Sequence, residues 1–169
     1  MPPDKIMDTV TVTLPIPTAA GGFLAHYSER GLIGLDFPRT GAKPAKEPET
    51  VPAEVGAWHR ITASALKSIL AGKEPAKLPP LAPDGTAFQK SVWAALRAIS
   101  LGNTRSYGEI AEAIGRPKAV RAVGSACGAN PIPVLVPCHR VLAAGKKIGG
   151  FGGGLAWKRR LLSAEGVNI

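Results

Sequence analysis

The clearest structural signal lies in residues 106–128, SYGEIAEAIGRPKAVRAVGSACG. Ser106 and Glu109 have the spacing of a capping box, in which each side chain accepts a hydrogen bond from the other residue's backbone N–H at a helix start. Apolar residues then recur at helical spacing until Gly115, and Pro117 suits the first turn of a second helix. The buried face of that second helix is predicted to be Val120, Val123 and Cys127. Two short helices joined by a glycine-containing turn form a helix-turn-helix unit.

Three longer helices are predicted around this unit. One spans about 86–99, with an apolar stripe of Phe88, Val92, Trp93, Leu96 and Ile99. Another spans about 53–71, because apolar residues from Val55 to Ile69 follow three- and four-residue steps. The last spans 155–164 and is basic and amphipathic. We expect it to expose Lys158, Arg159 and Arg160 and to bury Leu155, Leu161 and Leu162.

The first part of the chain has strand patterns instead. Alternation and apolar runs predict strands at 8–14, 22–28 and 31–37, with the last two joined as a hairpin. Residues 38–52 contain four prolines and no periodicity, which indicates a loop. Stacked prolines at 77–83 indicate a linker. These patterns predict an α/β domain at 1–82 followed by a mainly α domain at 83–169.

Composition and charge narrow the function classes. The 169 residues are 45% hydrophobic and 20% charged, which is enough apolar material for a packed core. The net charge is +9. Twelve basic and four acidic residues lie from residue 83 onward, against nine and eight before it. This asymmetry suggests a polyanionic partner, such as nucleic acid, for the C-terminal half.

The sequence also predicts the cellular compartment of the protein. No apolar run approaches the roughly 20 residues that a membrane-spanning helix needs. The N-terminus lacks the basic-then-apolar layout of a secretory signal. Two cysteines make neither a disulfide framework nor a four-cysteine zinc site. We therefore predict a cytoplasmic protein without membrane contact.

Residues 137–141, Pro-Cys-His-Arg-Val, carry the strongest chemical signal. A cysteine acts as a nucleophile when it is a thiolate, and a neighbouring base or positive charge favours that form. His139 and Arg140 follow Cys138 directly, although neighbours in sequence need not touch in space. On these residues alone, Cys138 is either a nucleophile or a small buried apolar side chain. A metal site is not predicted, because the other histidines, His26 and His59, lack ligand spacing.

The run Gly128–Val141, GANPIPVLVPCHRV, resembles the signature of the O6-alkylguanine-DNA alkyltransferases. The similarity covers residues 85–166 closely and residues 1–80 loosely. The other matching segments are Gly85–Trp93, Ser106–Ala111, Arg121–Gly124, Gly149–Leu155 and Leu161–Gly166. An Asn-Pro pair upstream of Pro-Cys-His-Arg-Val is a highly specific combination.

The resemblance implies a chemistry for this segment. Proteins of that family move an alkyl group from O6 of guanine in duplex DNA to their own cysteine, which would be Cys138. His139 would be the base, acting through a water, and Glu165 would orient the imidazole. Asn130 would brace the turn that carries the nucleophile. The thioether product is stable, so each molecule would react once, with neither a methyl-donor cofactor nor a metal. O4-alkylthymine would be a second substrate.

The resemblance also implies a fold and a set of contacts. The expected fold is a ribonuclease-H-like α/β domain with antiparallel strands, followed by a winged helix-turn-helix-like domain that binds the minor groove as a monomer. Arg121 would replace the flipped base in the duplex, and Tyr107 would press on its phosphate. The expected substrate-binding residues are Tyr107, Arg121, Val141, Phe151, Gly152 and Lys158. The expected DNA-binding residues are Ser106, Arg121, Ala122 and Arg140.

Three other functions remain as alternatives. A non-catalytic lesion-binding protein would lack the acceptor cysteine, whereas Cys138 is present. A helix-turn-helix regulator would explain the basic half but not the Cys-His-Arg run or Glu165. A cysteine hydrolase would use the same nucleophile and base but would turn over. A hydrolase would react many times and an alkyltransferase once, so the number of turnovers distinguishes the two.

Overall fold

The N-terminal part of the protein is built on a small antiparallel sheet. The computed structural model describes residue 10 and residues 12–43 and 45–169. The three strands are β1 (Val12–Thr18), β2 (Gly21–Ser28) and β3 (Gly31–Asp36), and they lie in the order β1-β2-β3. The predicted hairpin of the second and third strands is confirmed.

The first strand lies further along the chain than predicted. The expected range was 8–14, but β1 begins at Val12 and continues to Thr18, through Pro15 and Pro17. Residues 1–9 and 11 lie outside the described residues. Prolines argue against a central strand, but in the described part of the chain β1 pairs with β2 alone, so the N positions of its prolines need no ladder partner. The alternation of Val and Thr predicted only the first part of this strand, and the edge position lets the strand continue through both prolines.

One long helix covers the sheet. Helix α1 (Ala53–Leu70) confirms the helix predicted at 53–71 and contacts all three strands. Its buried residues are Val55, Thr62, Ala65, Leu66 and Ile69. Between β3 and α1, the described residues of the predicted 38–52 loop form neither helix nor strand.

The predicted linker is held against the sheet. The edge of β3 that does not pair with β2 hydrogen-bonds to the linker. Leu32 N donates to Pro80 O at 2.8 Å, and Ala82 N donates to Leu32 O at 2.8 Å. Further along the same strand, Leu35 N donates to Pro131 O at 2.9 Å. One strand edge therefore joins the linker and the Asn-Pro turn of the C-terminal half.

The helix-turn-helix pattern appears as two short helices packed on a third. They are α2 (Ala87–Arg97), α3 (Tyr107–Ala113) and α4 (Val120–Gly128). The capping box of Ser106 and Glu109 is present, and Thr86 and Gln89 form a second one at α2. Pro117 lies in the turn before α4 and not in its first turn. Val120 was expected to be buried but is 40% exposed, since it begins the helix at the surface.

The remaining elements enclose the Cys138 segment. Strand β4 (Arg105–Ser106) pairs in parallel with β5 (Val141–Leu142), and α5 (Leu155–Ala164) contacts both the Cys138 turn and α1. The range of α5 confirms the prediction, but its orientation differs. Leu155 is exposed, whereas Lys158 is fully buried. In the described part of the chain, no helix is long and apolar enough to cross a membrane.

Candidate active site

Cys138 lies in a tight turn at the centre of the C-terminal half. Cys138–Arg140 form one turn of 3-10 helix that leads directly into β5. In a 3-10 turn successive side chains point about 120° apart, so neighbours in sequence face different surroundings. Cys138, His139 and Arg140 are all buried. The turn therefore directs Cys138 toward a cavity while His139 and Arg140 both reach Glu165.

Asn130 braces the chain that leads into this turn. Its side-chain Nδ2 donates to Val136 O at 2.9 Å, and its Oδ1 accepts from Ile132 N at 3.0 Å. These bonds close the loop between the Asn-Pro turn and Pro137. Burial raises the pKa of the Cys138 thiol, and a hydrogen bond from Asn130 partly opposes this rise. The position fits the bracing role expected for Asn130.

His139 and Glu165 form a buried pair. Both side chains are fully buried, and Nε2 of His139 lies 2.8 Å from Oε1 of Glu165. Burial raises the pKa of Glu165, but hydrogen bonds from His139 and Arg140 outweigh it and hold the pKa below its ordinary value. Burial lowers the pKa of His139, so the imidazole is neutral near pH 7.

These charge states fix where the imidazole proton lies. An ionised Glu165 only accepts hydrogen bonds, so Nε2 of neutral His139 must carry the proton and donate it. Nδ1 is then the unprotonated nitrogen. It is buried and has no hydrogen-bond partner among the described residues. A buried acceptor without a partner is uncommon, and at a reactive centre it is suited to take up a proton.

Arg140 points into the protein. Its Nε donates to both carboxylate oxygens of Glu165, at 3.0 and 3.2 Å, and Nη2 donates to Oε1 at 2.8 Å. Its Nη1 donates to Ile99 O at 2.7 Å. Arg140 is 5% exposed. This position does not fit the expected contact with DNA, because the guanidinium is used to hold Glu165.

Lys158 is also internal. Its Nζ donates to Val141 O at 2.7 Å and to Gly150 O at 3.1 Å. The expectation of a solvent-facing lysine was wrong, because these two carbonyls replace water around the ammonium group. Burial raises the pKa of Cys138, whereas the positive charge of Lys158 acts to lower it. Lys158 thus ties β5 to the glycine-rich loop and favours the thiolate.

Tyr107 lies beside the same loop. The pairing of β4 with β5 places it, as the first residue of α3, next to the Cys138 strand. Its hydroxyl approaches Gly149 and hydrogen-bonds the backbone of Gly150. Burial raises the pKa of Tyr107, with smaller contributions from Cys127 and Cys138, so it stays a neutral donor. Tyr107 therefore lies next to β5 and the glycine-rich loop, although it does not line the cavity at Cys138.

A cavity of about 430 Å³ opens onto Cys138. Pro131, Pro133, Phe151 and Gly152 contribute to its C-terminal side. Residues 35–39, at and just after the end of β3, also line it. The sequence did not predict that this segment lies at the site, because a contact between residues about 100 positions apart leaves no local pattern.

The residues expected to meet DNA fall into two groups. Arg121 and Ala122 are exposed in the first turn of α4, as a binding surface requires. Ser106 is half-buried, and its hydroxyl accepts from Glu109 N at 3.0 Å as the helix cap. Among the described residues, no three His, Cys, Asp or Glu side chains are arranged to hold a metal ion.

Comparison with known proteins identifies similar sequences and structures. Residues 87–167 match the family model described as 6-O-methylguanine DNA methyltransferase, DNA binding domain. A Methanosarcina acetivorans protein named methylated-DNA–protein-cysteine methyltransferase is 44% identical over 146 residues, which are 86% of this chain and 92% of that protein.

Two solved structures from Mycobacterium tuberculosis are also similar. The crystal structure of O6-methylguanine methyltransferase has a TM-score of 0.73 and 38% identity, covering 91% of this chain and 92% of that one. The crystal structure of OGT in complex with DNA has a TM-score of 0.72 and 38% identity, covering 89% of this chain and 90% of that one.

Proposed function

The chain belongs to the methylated-DNA–protein-cysteine methyltransferase family, and from that premise we propose that it repairs DNA by moving an alkyl group from O6 of guanine to Cys138. The observation that carries the proposal is the buried Nδ1 of His139. Glu165 fixes the proton on the other ring nitrogen, and Arg140 fixes the charge of Glu165. A base therefore stands ready within the turn that carries the thiol.

The reaction needs a thiolate because an alkyl carbon on an aryl ether is a poor electrophile. His139 takes the thiol proton at Nδ1, through a bridging water, and leaves a thiolate that Asn130 and Lys158 stabilise. The sulfur of Cys138 bonds to the alkyl carbon as the bond from that carbon to O6 breaks. The electron pair stays on the guanine, which then takes up a proton.

The thioether has no bond that water cleaves at a useful rate, so each molecule reacts once. The same sequence of steps applies to O4-alkylthymine.

The pocket would hold the base by its edge. The backbone N–H of Gly152 faces O6, and the carbonyls of Cys138 and Val141 accept from the exocyclic amine. The Val141 carbonyl already accepts from Lys158, but a carbonyl oxygen accepts two hydrogen bonds. Phe151 packs at the lip of the pocket. Tyr107 donates to the base and presses on its phosphate.

DNA would approach along α3 and α4, with both helices in the minor groove. Arg121 enters the space that the flipped base leaves, and Ala122 packs beside the backbone. The N–H groups at the start of α3, next to Ser106, suit a phosphate contact. The excess of basic residues after residue 83 provides affinity without sequence preference.

The finer description of the fold belongs to the same proposal. We assign residues 1–82 to a ribonuclease-H-like domain and residues 83–169 to a winged helix-turn-helix-like domain. The antiparallel sheet with its covering helix supports the first assignment. The α2, α3 and α4 group with the short β5 strand supports the second. A monomer in the cytoplasm is the expected form.

Intact-mass analysis tests the function. The protein is mixed with excess duplex that contains one O6-methylguanine, and the product is mapped by peptide digestion. We expect one methyl group per chain, on Cys138, and no further reaction. Cys138→Ser is the matched control and should bind the same duplex without modification. An unmodified wild-type protein that still binds would favour lesion sensing, and multiple turnover would favour a hydrolase.

A second experiment tests base flipping. Arg121→Ala should slow transfer from duplex far more than transfer from free O6-alkylguanine, because the free base needs no flipping. Equal slowing of both reactions would assign Arg121 to another role. Lys90→Ala, an exposed basic change on α2, serves as the control for loss of charge alone.

A further inference from the structure

The cavity on Cys138 has a wall that the C-terminal half does not supply. Residues 35–39 of the N-terminal half line the cavity together with Gly152 and Gly153 of the glycine-rich loop. Phe37 is the aromatic residue of this segment. It is half-buried and lines the cavity.

The wall is fixed in place at its base. The strand pairing of Leu24 with Asp36 holds the segment to β2. The Asp36 carboxylate lies 2.8 Å from Nε2 of His26, and Leu35 N donates to Pro131 O at 2.9 Å. These contacts tie the wall both to the sheet and to the Asn-Pro turn of the site.

Phe37 is packed among other aromatic rings. Its ring centroid lies 5.5 Å from that of Phe23, 5.1 Å from that of Trp157 and 5.7 Å from that of Phe151. The contact with Phe151 is edge-on, at 74°. Phe23 is a sheet residue, Trp157 lies on α5 and Phe151 lies in the glycine-rich loop. Phe37 is therefore the ring through which the sheet meets the lip of the pocket.

Gly153 provides the space for this ring. A Cβ on Gly153 would lie 2.5 and 2.6 Å from Cε2 and Cδ2 of Phe37, far inside van der Waals contact. The backbone of Gly153 is not in the left-handed region, so strain does not require glycine there. The ring of Phe37 is what excludes a side chain at Gly153.

From this geometry we infer that Phe37 is a specificity-determining residue that limits the size of the alkyl group delivered to Cys138. The inference rests on the proposed function. A methyl group needs little of the cavity, whereas a benzyl group must extend from Cys138 toward the wall. Removing the ring enlarges the cavity on that side, so bulky groups should gain more than methyl does.

The test compares two duplexes, one with O6-methylguanine and one with O6-benzylguanine, by single-turnover rate constants. In Phe37→Ala the benzyl-to-methyl rate ratio should rise at least about tenfold, the lower end of the range that a change in pocket size gives in enzymes. Phe37→Leu, which keeps an apolar side chain and protects the fold, should raise the ratio less. Phe88→Ala, a half-buried ring on α2 outside the cavity lining, should leave it within about twofold.

A second arm uses Gly153. Gly153→Ala should slow both transfers, benzyl more than methyl, because the new Cβ displaces Phe37 or the loop. Adding Phe37→Ala should restore both rates, since the obstructing ring is gone. Independent effects of the two changes would overturn the inferred contact.

The outcomes separate the two proposals. If wild-type protein places no methyl group on Cys138, the proposed function fails. If it does so, but folded Phe37→Ala and Phe37→Leu leave the benzyl-to-methyl ratio unchanged or lower it, the inference about Phe37 alone is overturned.

Discussion

Replacing Arg140 with Met tests whether this side chain supports the active site or contacts DNA. The change removes the four hydrogen bonds to Glu165 and Ile99 and leaves a buried carboxylate held only by His139. Because the Arg140 side chain is 6% exposed and that of Glu165 is fully buried, solvent screens the pair little. Breaking such a pair costs about 3–5 kcal/mol, so the free energy of unfolding should fall by that amount.

Urea unfolding at pH 7 measures this loss, and a double-mutant cycle assigns it. Arg140→Met with Glu165→Gln leaves no unpaired charge, so the double variant should recover about 1–2 kcal/mol relative to Arg140→Met alone. Both single changes should slow methyl transfer: Glu165→Gln removes the carboxylate that accepts the imidazole proton, and Arg140→Met removes the side chain that holds this carboxylate in place. A loss below about 1 kcal/mol in Arg140→Met would refute the buried-pair argument.

DNA binding gives the second readout for this variant. A lysine or arginine that contacts a phosphate contributes about one to the slope of log affinity against log salt. Folded Arg140→Met should keep the wild-type slope on undamaged duplex, because the guanidinium faces Glu165. A slope that falls by about one would instead restore the expected role in DNA contact.

The structure also makes predictions for His139, Lys158 and Gly72. Burial lowers the pKa of His139, so transfer should vary little from about pH 7 to 8 and slow in more acid solution, in a pH–rate profile. The unfolded chain binds a proton on His139 more tightly, so the free energy of unfolding should also fall as pH drops from about 6.5 toward the folded pKa, in urea titrations. Lys158→Met should raise the pKa of Cys138 and slow transfer by stopped-flow measurement, while thermal unfolding shows little change in stability, because relief from burying the ammonium offsets the hydrogen bonds lost by the Val141 and Gly150 carbonyls. Gly72→Ala should cost at least about 2 kcal/mol in urea unfolding, because Gly72 has φ +72° and its Cβ would overlap the carbonyl at the end of α5. Gly115→Ala, at φ +75° in open space, should cost clearly less.

Local signals in the sequence were enough for most elements. The capping box of Ser106 and Glu109 and the periodicity of α1 arise from neighbours within four residues, so they survive whatever packs around them. The start of α4 was less predictable. Pro117 is compatible with both a first helical turn and a preceding turn, and tertiary packing decided between them.

The orientation of charged side chains could not be predicted in the same way. The helical pattern of α5 predicted a solvent-facing Lys158 because the side chain is charged. That prediction takes no account of the long apolar part of the lysine side chain, which can be buried. The carbonyls that bind its ammonium group belong to Val141 and Gly150, which lie 17 and 8 residues away, so a pattern within one helix cannot predict these contacts. Arg140 shows the same limit, since its partner Glu165 is 25 residues away. Glu165 itself was expected only through the family resemblance.

Burial of the acceptor thiol suits a protein that reacts once. Cys138 is 7% exposed, and burial raises the pKa of its thiol, so the free protein keeps the thiol protonated and poorly reactive toward solutes. A reagent that diffuses to an exposed thiolate would destroy a single-use protein without repairing DNA. The groups that favour the thiolate are Lys158 on α5, Asn130 in the Asn-Pro turn and the free Nδ1 of His139, and all three belong to elements packed around the Cys138 turn. Filling the cavity with the flipped base excludes water and strengthens each of these interactions, so that reactivity depends on the lesion being present.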